Sequence, residues 1–289
     1  MHVIAHGDAR DLSWLADETL HLVVTSPPYG LLKTYEDAPG QLGNGGDPAS
    51  VDAYEAFLDE LDRCFAECRR VLVPGGRICC VVGDICLSRR AAGRHLVLPL
   101  PADIQVRARR LGLDNLTPIR WLKVANIKLE ASGSSWFLGK PNLPGGIVKN
   151  DIETIVMLRK PAGYRKPTPA MERESHISTT EYRTLFSPVW DDVRGESTRR
   201  WNHPAPYPEE ISSRLIRMFS FAGDTVLDPF AGSGTTAASA IAHGRQSISV
   251  EIVPGYIETM RRRLGSIAGD AHVWAGEMFA PRPERAVPA

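Results

Sequence analysis

Short apolar runs and amphipathic stretches alternate along the first half of the chain. The runs HVIA, LHLVVT and RICCVV are rich in β-branched residues and predict strands. Between the last two, apolar residues recur every three to four positions at 51–71, which predicts a helix closed by a turn at Pro74-Gly75-Gly76. A second helix at 102–111 and a strand in PIRWLKV follow. This alternation favours an α/β fold with a mostly parallel, doubly wound sheet and helices on both faces.

From about residue 125 to 200 the periodicity stops, apart from one predicted strand, IETIVMLRK. A long irregular segment in a compact domain is usually functional or disordered. Periodicity then returns, with helices predicted at 208–219, 235–242 and 256–264 and strands in TVLD and QSISVE. The tail at 281–289 is expected to be flexible.

Composition supports a globular protein without a secretory or membrane segment. Hydrophobic residues make up 43% and charged residues 24% of the 289 positions. No apolar run approaches the ~20 residues that cross a bilayer, and MHVIAHGDARD shows no basic leader followed by an apolar stretch, so we expect a cytoplasmic protein. Of the five cysteines, Cys64 and Cys68 lie on the apolar face of the first predicted helix, and Cys79 and Cys80 lie in an apolar run. They are expected to be core residues in a reducing compartment, and no metal is expected.

The net charge is zero, because 34 Lys and Arg residues balance 34 Asp and Glu residues. Basic residues nevertheless concentrate locally, with eight of them at 89–123 against Asp103 and Asp114, and nine at 159–200 against six acidic residues. Such stretches are compatible with a phosphate-binding face. They are equally compatible with solvated surface arginines.

The sequence DPFAGSGTT follows the strand TVLD and opens a helix. Its glycines permit a tight turn and a close backbone approach to a ligand at a helix N-terminus. Glu251 ends the next strand, where a carboxylate can accept hydrogen bonds from ribose hydroxyls. Because no Gly-Lys-Thr occurs, a triphosphate-binding P-loop is excluded. The loop favours a nucleoside cofactor without a long phosphate chain.

A second loop, Thr25-Ser26-Pro27-Pro28-Tyr29-Gly30, follows the strand LHLVVT directly. A purely structural interpretation is that the prolines end a strand and Tyr29 packs on the surface. The chemical interpretation is that the Ser26 hydroxyl and the Pro27 carbonyl accept hydrogen bonds from the amine of a base. The prolines would stiffen the turn that holds these acceptors, and Tyr29 would stack on an extruded base.

SPPY and DPFAGSGTT together resemble the amino-methyltransferases of DNA. Because the catalytic loop precedes the cofactor loop, the chain is similar to their permuted β class, found in bacteria and phages. GDARDL, VLVPGGRICCVVGD, NDIETIVMLRK, HPAPYPEEISSRLI and SVEIVPGYIETM resemble further elements of that family in the same order. Tyr207 departs from the phenylalanine of many members.

The resemblance implies a seven-stranded Rossmann-like methyltransferase domain that binds S-adenosylmethionine, releases S-adenosylhomocysteine and acts on double-stranded DNA. It divides the chain into a catalytic half (1–125), a variable target-recognition segment (126–200), a cofactor-binding half (201–280) and the tail. It also places the catalytic and cofactor loops side by side, because ligands bind where strand order reverses in a doubly wound sheet. Homodimers are common in this class, although no sequence feature here requires one.

The resemblance also assigns site residues. The catalytic residues are Ser26, Pro27, Pro28 and Tyr29. The cofactor contacts are Asp8, Ala9, Thr25, His203, Pro204, Ala205, Asp228, Pro229, Phe230, Ala231, Gly232, Ser233, Gly234, Thr235, Thr236, Glu251 and Ile252. Asp8 would bind the adenine amine of the cofactor. The candidate DNA contacts are Arg165, Lys166, Arg183, Arg199 and Arg200.

Serine at the first position of the tetrapeptide is associated, by the same resemblance, with methylation of the cytosine N4 amine. Asp or Asn is more usual for the adenine N6 amine, which is the alternative target. Methylation at cytosine C5 needs a cysteine nucleophile, usually after proline, and no Pro-Cys occurs. Methylation of RNA or protein glutamine and a catalytically silent DNA-binding relative are more distant alternatives.

Overall fold

The computed structural model describes residues 1–29, 40–43, 46–47, 49–123, 148, 150–195 and 207–267, and the backbone of 273–277. A ten-stranded sheet forms its centre, and a two-stranded hairpin lies apart from it. The sheet strands are β1 (His2–His6), β2 (Leu20–Thr25), β3 (Leu72–Val82), β6 (Asp114–Asn115), β7 (Ile119–Leu122), β8 (Ile152–Arg159), β9 (Val189–Trp190), β10 (Thr225–Asp228), β11 (Gln246–Glu251) and β12 (Val273–Glu277). The hairpin consists of β4 (Ile85–Leu87) and β5 (Leu96–Leu98).

The strand order is β12-β1-β11-β10-β2-β3-β8-β7-β9, with β6 also paired to β8. Every pair from β12 to β3 is parallel, whereas β8 runs antiparallel to its neighbours β3, β6 and β7. The predicted mostly parallel α/β sheet is therefore confirmed. The predicted count of seven strands is too low, partly because β6 and β9 have two residues each and cannot display an alternating pattern.

Eight helices are defined in the described part of the chain. They are α1 (Val51–Val71), α2 (Arg89–Ala92), α3 (Leu100–Arg110), α4 (Pro169–Glu174), α5 (Thr179–Leu185), α6 (Glu209–Phe219), α7 (Thr235–Ala242) and α8 (Pro254–Ile267). The described helices include none with the length and apolar character needed to cross a membrane.

The helices cover both faces of the sheet because successive strand residues point to opposite sides. Val23 and Cys80 share one buried cluster with Phe57 of α1. Leu22, the neighbour of Val23 in β2, belongs instead to a second cluster with Ile211 of α6. Cysteines 64, 68, 79 and 80 are all buried, as expected for core residues.

The Pro74-Gly75-Gly76 sequence does not end the helix with a turn, as predicted, but lies inside β3. Leu20 of β2 pairs with Leu72, and Leu22 pairs with Arg77, so the register shifts between these pairs. Gly75 has a φ of +79° and its N–H donates to the Lys160 carbonyl at 3.1 Å. The residues therefore form a bulge, and Gly75 is suited to its left-handed backbone.

The helices α4 and α5 lie in the segment for which no period was predicted. Thr168 caps α4, and Pro169 occupies its first turn. Ser178 and Glu181 form a reciprocal capping box at the start of α5. These capping residues were the available sequence signal, since helices this short have little room for an amphipathic period.

The direction of β8 distributes the loops between two edges of the sheet. At the carboxyl edge lie Thr25, Val82, Asp228 and Glu251, the last residues of β2, β3, β10 and β11. The opposite, amino edge is where these strands begin. Because β8 is antiparallel to β3, it ends at the amino edge and delivers the following segment there.

Candidate active site

The two sequence loops meet at the carboxyl edge, as predicted. Strand β2 pairs in parallel with β10, with Leu22 opposite Val226 and Val23 opposite Leu227. Thr25, which ends β2, donates its hydroxyl to Asp228 Oδ1 at 2.7 Å. A side-chain hydrogen bond therefore joins the strand ends that precede the SPPY loop and the glycine-rich loop.

The Asp228 carboxyl group is buried at the centre of this junction. The Thr236 hydroxyl donates to Oδ2 at 2.6 Å, and the Phe230 N–H donates to Oδ1 at 3.1 Å. Burial raises the pKa of Asp228 to about 6, although these hydrogen bonds and that from Thr25 oppose the shift. Because it is buried and binds residues of β2, the glycine-rich loop and α7, Asp228 positions the loops.

Tyr207 contacts this network through a hydrogen bond between its phenol and the Thr236 hydroxyl. The Val24 carbonyl lies 3.2 Å from the same Thr236 hydroxyl. A phenylalanine could not make the first of these bonds. The departure from the family pattern at Tyr207 therefore adds a polar contact between the start of α6 and the first turn of α7.

The glycine-rich loop requires glycine at two positions. Gly232 and Gly234 have φ values of +51° and +80°. A Cβ atom on Gly234 would lie 2.6 Å from Met260 Cγ, so the loop packs directly against α8. The left-handed backbone and this close approach both favour glycine.

Glu251 fixes the same loop from the neighbouring strand. Its Oε2 accepts the Gly232 N–H at 2.7 Å, and its Oε1 accepts the Ile252 and Val253 N–H groups, both at 2.9 Å. Because a carboxylate offers about four acceptor sites, these bonds leave roughly one site on Oε2. Burial raises the pKa of Glu251 to about 7.

A cleft with about 680 Å³ of empty volume, partly open to solvent, lies between the two loops. Among the predicted site residues, those that line it are Asp8, Ala9, Ser26, Pro27, Pro28, Tyr29, Pro229, Phe230, Gly232, Glu251 and Ile252. The other described cofactor candidates are buried and lie outside the lining: Thr25, Asp228, Ala231, Ser233, Gly234, Thr235 and Thr236. Gly234 packs on Met260. Thus the cleft brings the catalytic candidates together with seven of the fourteen cofactor candidates that the structure describes.

Comparison with known proteins identifies the type of site. The DNA methylase family model, N6_N4_Mtase, matches residues 20–262. The chain belongs to the N6/N4 DNA methylase family. The type II methyltransferase M.MjaI of Methanocaldococcus jannaschii is 34% identical over 287 residues, which cover 91% of each chain. The DNA adenine methyltransferase YhdJ of Escherichia coli K12 is 28% identical over 279 residues, covering 90% of this chain and 82% of YhdJ.

The solved structure of a similar protein contains the cofactor. TTHA0409 of Thermus thermophilus, complexed with S-adenosyl-L-methionine, is 43% identical, with a TM-score of 0.79 and coverage of 98% of this chain and 100% of that one. The methylase is thus an S-adenosylmethionine-dependent DNA methyltransferase. The lining of the cleft fits this cofactor, since it combines apolar walls such as Phe230 and Ile252 with the two carboxyl groups of Asp8 and Glu251. Among the described residues, no cluster of histidine, cysteine or acidic side chains could hold a metal ion.

Asp8 lines the methylase cleft, and its carboxylate forms an ion pair with Arg10. Arg10 donates to both Asp8 oxygens at 2.6–3.0 Å and also reaches Glu60 at 2.8 Å and the Gly40 carbonyl at 2.7 Å. No sequence motif indicated this network. Asp8 would therefore meet an adenine amine as a carboxylate already oriented and partly neutralised by Arg10.

The sequence interpretation missed several residues of the methylase cleft. They are Gly7, Gly40, Gln41, Leu42, Val253 and Tyr256. Three flank predicted contacts in sequence or follow Glu251 closely, so proximity was an available signal for Gly7, Val253 and Tyr256. Residues 40–42 come from an irregular stretch without such a signal. His203, Pro204 and Ala205 lie outside the described residues.

A second cleft begins on the far side of Tyr29, which lines both. It has about 580 Å³ of empty volume, and its other lining residues are Gly83, Asp84, Lys123, Asn150, Asp151, Ile152 and Glu153. The Tyr29 phenol accepts the Gly83 N–H at 2.8 Å, while Lys123 forms an ion pair with Glu153. Burial raises the pKa of Asp84. Tyr29 is thus anchored between the cofactor cleft and a polar cleft that sequence analysis missed.

The three candidate DNA contacts that the structure describes, Arg165, Lys166 and Arg183, do not line either of these clefts. Arg165 lies beyond the end of β8, at the amino edge, where its guanidinium donates to both oxygens of Asp224 at 2.7–2.8 Å. Lys166 is the exposed neighbour of Arg165, and Arg183 is exposed on α5, whose Glu181 pairs with Arg217 near the end of α6. The antiparallel course of β8 therefore carries these three basic residues away from the catalytic loop. Arg199 and Arg200 lie outside the described residues.

Proposed function

We propose that this methyltransferase transfers a methyl group to the exocyclic N4 amine of a flipped cytosine in duplex DNA. The observation that carries the proposal is the position of Ser26, the first residue of SPPY, in the lining of the cofactor cleft. The adenine N6 amine is the alternative, and the relationship to the adenine methyltransferase YhdJ favours keeping it.

The chemistry depends on how the amine is held. The lone pair of an exocyclic amine is delocalised into the base ring, which makes the nitrogen a weak nucleophile. Acceptors placed at Ser26 Oγ and the Pro27 carbonyl would bind its two hydrogens and favour a tetrahedral nitrogen. Pro27 and Pro28 restrict the backbone, so the acceptors are preorganised for this geometry.

The base would enter from the second cleft and stack on Tyr29. Extruded bases are commonly held between aromatic or apolar side chains and read along their hydrogen-bonding edge. The bond from Gly83 to the Tyr29 phenol fixes the ring that would support the base. Lys123 offers donors and Glu153 offers acceptors within the same cleft.

The cofactor would lie on the other side of Tyr29. When bound, S-adenosylmethionine supplies an electrophilic methyl group on a sulfonium centre. Glu251 would accept a ribose hydroxyl at the remaining acceptor site on Oε2, and Asp8 would face the adenine amine. Phe230 adds an apolar wall. The same carboxylate of Glu251 holds Gly232, so cofactor binding and loop geometry share one group.

Within the predicted target-recognition segment, 126–200, we assign target recognition to the residues that precede Asp151, because the chain on both sides of them meets the carboxyl edge of the sheet. Lys123 and Asp151 lie opposite each other across β7 and β8, with the Lys123 N–H donating to the Asp151 carbonyl at 2.9 Å. The chain therefore leaves and re-enters the sheet beside the second cleft. Residues 160–187, at the other edge, are not proposed to read the target sequence.

A labelling experiment tests the choice of base. Unmethylated bacterial genomic DNA is incubated with the enzyme and tritiated S-adenosylmethionine, digested to nucleosides and separated by chromatography. The label is expected to follow a methylated deoxycytidine. Label in methylated deoxyadenosine would establish the alternative target, and binding of cofactor without any transfer to DNA would support the catalytically silent relative.

Replacing Tyr29 separates the role of its ring from that of its phenol. Tyr29→Ala is expected to lower turnover by about 10- to 100-fold, because stacking of a base on an aromatic ring contributes about 1–3 kcal/mol. Tyr29→Phe keeps the ring and should lose only a few-fold, because the bond from the Gly83 N–H is only partly buried and a typical hydrogen bond contributes about 0.5–1.5 kcal/mol. Turnover and cofactor affinity are measured separately, and turnover should change more.

Tyr182→Ala is the matched control, because this tyrosine is exposed on α5 at the amino edge. Its turnover should equal that of the wild type. Equal losses in Tyr29→Phe and Tyr29→Ala would assign the effect to the phenol and contradict a stacking role.

A further inference from the structure

The amino edge of the sheet contains a third cleft, separate from the two clefts around Tyr29. It has about 900 Å³ of empty volume, part of it open to solvent. The start of β2, the bulge of β3, the segment after β8 and the end of α6 form its walls. We call it the amino-edge pocket and define it by its basic residues Arg77, Arg165 and Arg217 with the buried acid Asp224.

The three arginines are unequally partnered. Arg165 is bonded to Asp224, and Arg217 donates to Glu181 at 2.6 Å. The Arg77 guanidinium lies 4.5 Å from the centre of the Phe219 ring, and its buried Nε has no hydrogen-bond partner among the described residues. Two carboxylates thus face three guanidinium groups, and the unbalanced positive charge belongs to Arg77.

The neighbouring groups do not cancel this charge. His21 accepts the Thr225 N–H through Nδ1 at 3.0 Å, so Nδ1 carries no proton and the ring is neutral. Burial lowers the pKa of His21, which favours this neutral form. Arg245 lies behind the wall and donates to the Ser220 carbonyl at 2.7 Å. Burial lowers the pKa of Arg245, the charge of Asp224 opposes this shift, and the charge of Arg217 adds to it.

We propose that the amino-edge pocket binds the phosphate group of a small anionic molecule. A planar guanidinium matches phosphate oxygens through paired hydrogen bonds, and the guanidinium of Arg77, which lines the pocket, forms no ion pair with the described residues. Phe219 supports the Arg77 plane from below, and Arg165 is similarly placed 5.2 Å from the Phe221 ring centre.

The location distinguishes this ligand from the DNA substrate. The base and cofactor clefts lie at the carboxyl edge, whereas the phosphate would bind where the same strands begin. His21 and Thr25 mark opposite ends of β2, about 13 Å apart at the usual rise per residue. A duplex whose base is inserted beside Tyr29 therefore contacts the opposite edge of the sheet.

Calorimetric titration with inorganic pyrophosphate tests the proposal on the full chain. Saturating S-adenosylhomocysteine is present throughout, so that the cofactor cleft is blocked. Wild-type enzyme is expected to bind one pyrophosphate, and Arg77→Gln should weaken binding by about tenfold or more because it removes a charged pair of donors. Arg77→Lys, which keeps the charge without the planar fork, should lie between them.

Arg262→Gln is the matched control, because Arg262 is 72% exposed on α8 and away from the pocket. It should bind pyrophosphate as the wild type does. Melting curves without pyrophosphate show whether each variant is folded. The proposal of a small-molecule site would be overturned if the wild-type enzyme did not bind pyrophosphate, or if a folded Arg77→Gln variant bound it with equal affinity. It would also be overturned if a DNA duplex were the one competitor that displaced bound pyrophosphate.

Discussion

Ser26→Ala is expected to reduce methyl transfer by about 100- to 1,000-fold, which is the usual effect of removing one preorganised hydrogen-bonding group from the reacting centre. Ser26 lines the cofactor cleft, and the prolines after it keep the backbone turn in place. Alanine would remove one acceptor for the base amine and leave the Pro27 carbonyl. Single-turnover transfer from bound S-adenosylmethionine to DNA measures this loss.

Cofactor affinity distinguishes this result from damage to the fold. It should change by no more than about twofold, well under 1 kcal/mol, because Ser26 is not assigned a cofactor bond. Ser13→Ala, at an exposed serine outside the cleft, should transfer methyl groups at the wild-type rate. A Ser26→Ala enzyme with full activity would remove the central role assigned to the SPPY loop.

Glu251→Gln is expected to weaken S-adenosylmethionine binding by about 10- to 100-fold, since hydrogen bonds to charged groups contribute roughly 1.5–3 kcal/mol. The substitution replaces a carboxylate oxygen with an amide that repels one of the N–H donors from Gly232, Ile252 or Val253. Equilibrium binding of the cofactor measures the effect. Glu258→Gln is the matched control, because Glu258 is exposed on α8.

The same carboxyl group should make cofactor binding depend on pH. Burial raises the pKa of Glu251 to about 7, so the group becomes protonated as the pH falls through that value. The ionised form accepts hydroxyl hydrogens and attracts the sulfonium charge, so affinity should be highest above about pH 7 and decline below it. S-adenosylhomocysteine lacks the sulfonium charge and should show a smaller decline. A pH-independent wild type, or an equal decline in Glu251→Gln, would contradict this assignment.

Much of the site could be predicted because its parts are local in sequence. The glycine-rich loop, SPPY and Glu251 each follow an apolar run that folds as a strand, and a parallel sheet brings the ends of such strands to one edge. The pairing of β2 with β10 confirmed that these distant loops are neighbours. Long helices such as α1 were equally accessible, because 21 residues display several helical turns.

The remaining features depend on strand direction and on long-range pairing. Nothing local in IETIVMLRK indicates that β8 runs antiparallel, yet this direction carries Arg165 and its neighbours to the amino edge. The ion pair of Lys123 with Glu153 likewise needs β7 and β8 side by side. The sequence therefore shows which residues are basic, but it does not show at which edge of the sheet they lie.

The chemical identity of the product nucleoside tests the central claim, methylation of a base amine held by the Ser26 loop, most directly. DNA methylated by the wild-type enzyme is digested, and the modified nucleoside is separated and fragmented by mass spectrometry against N4-methyl-, 5-methyl- and N6-methyl-nucleoside standards. The expected product is N4-methyl-2′-deoxycytidine. Recovery of 5-methyl-2′-deoxycytidine, with the methyl group on ring carbon, would contradict amine methylation by this loop.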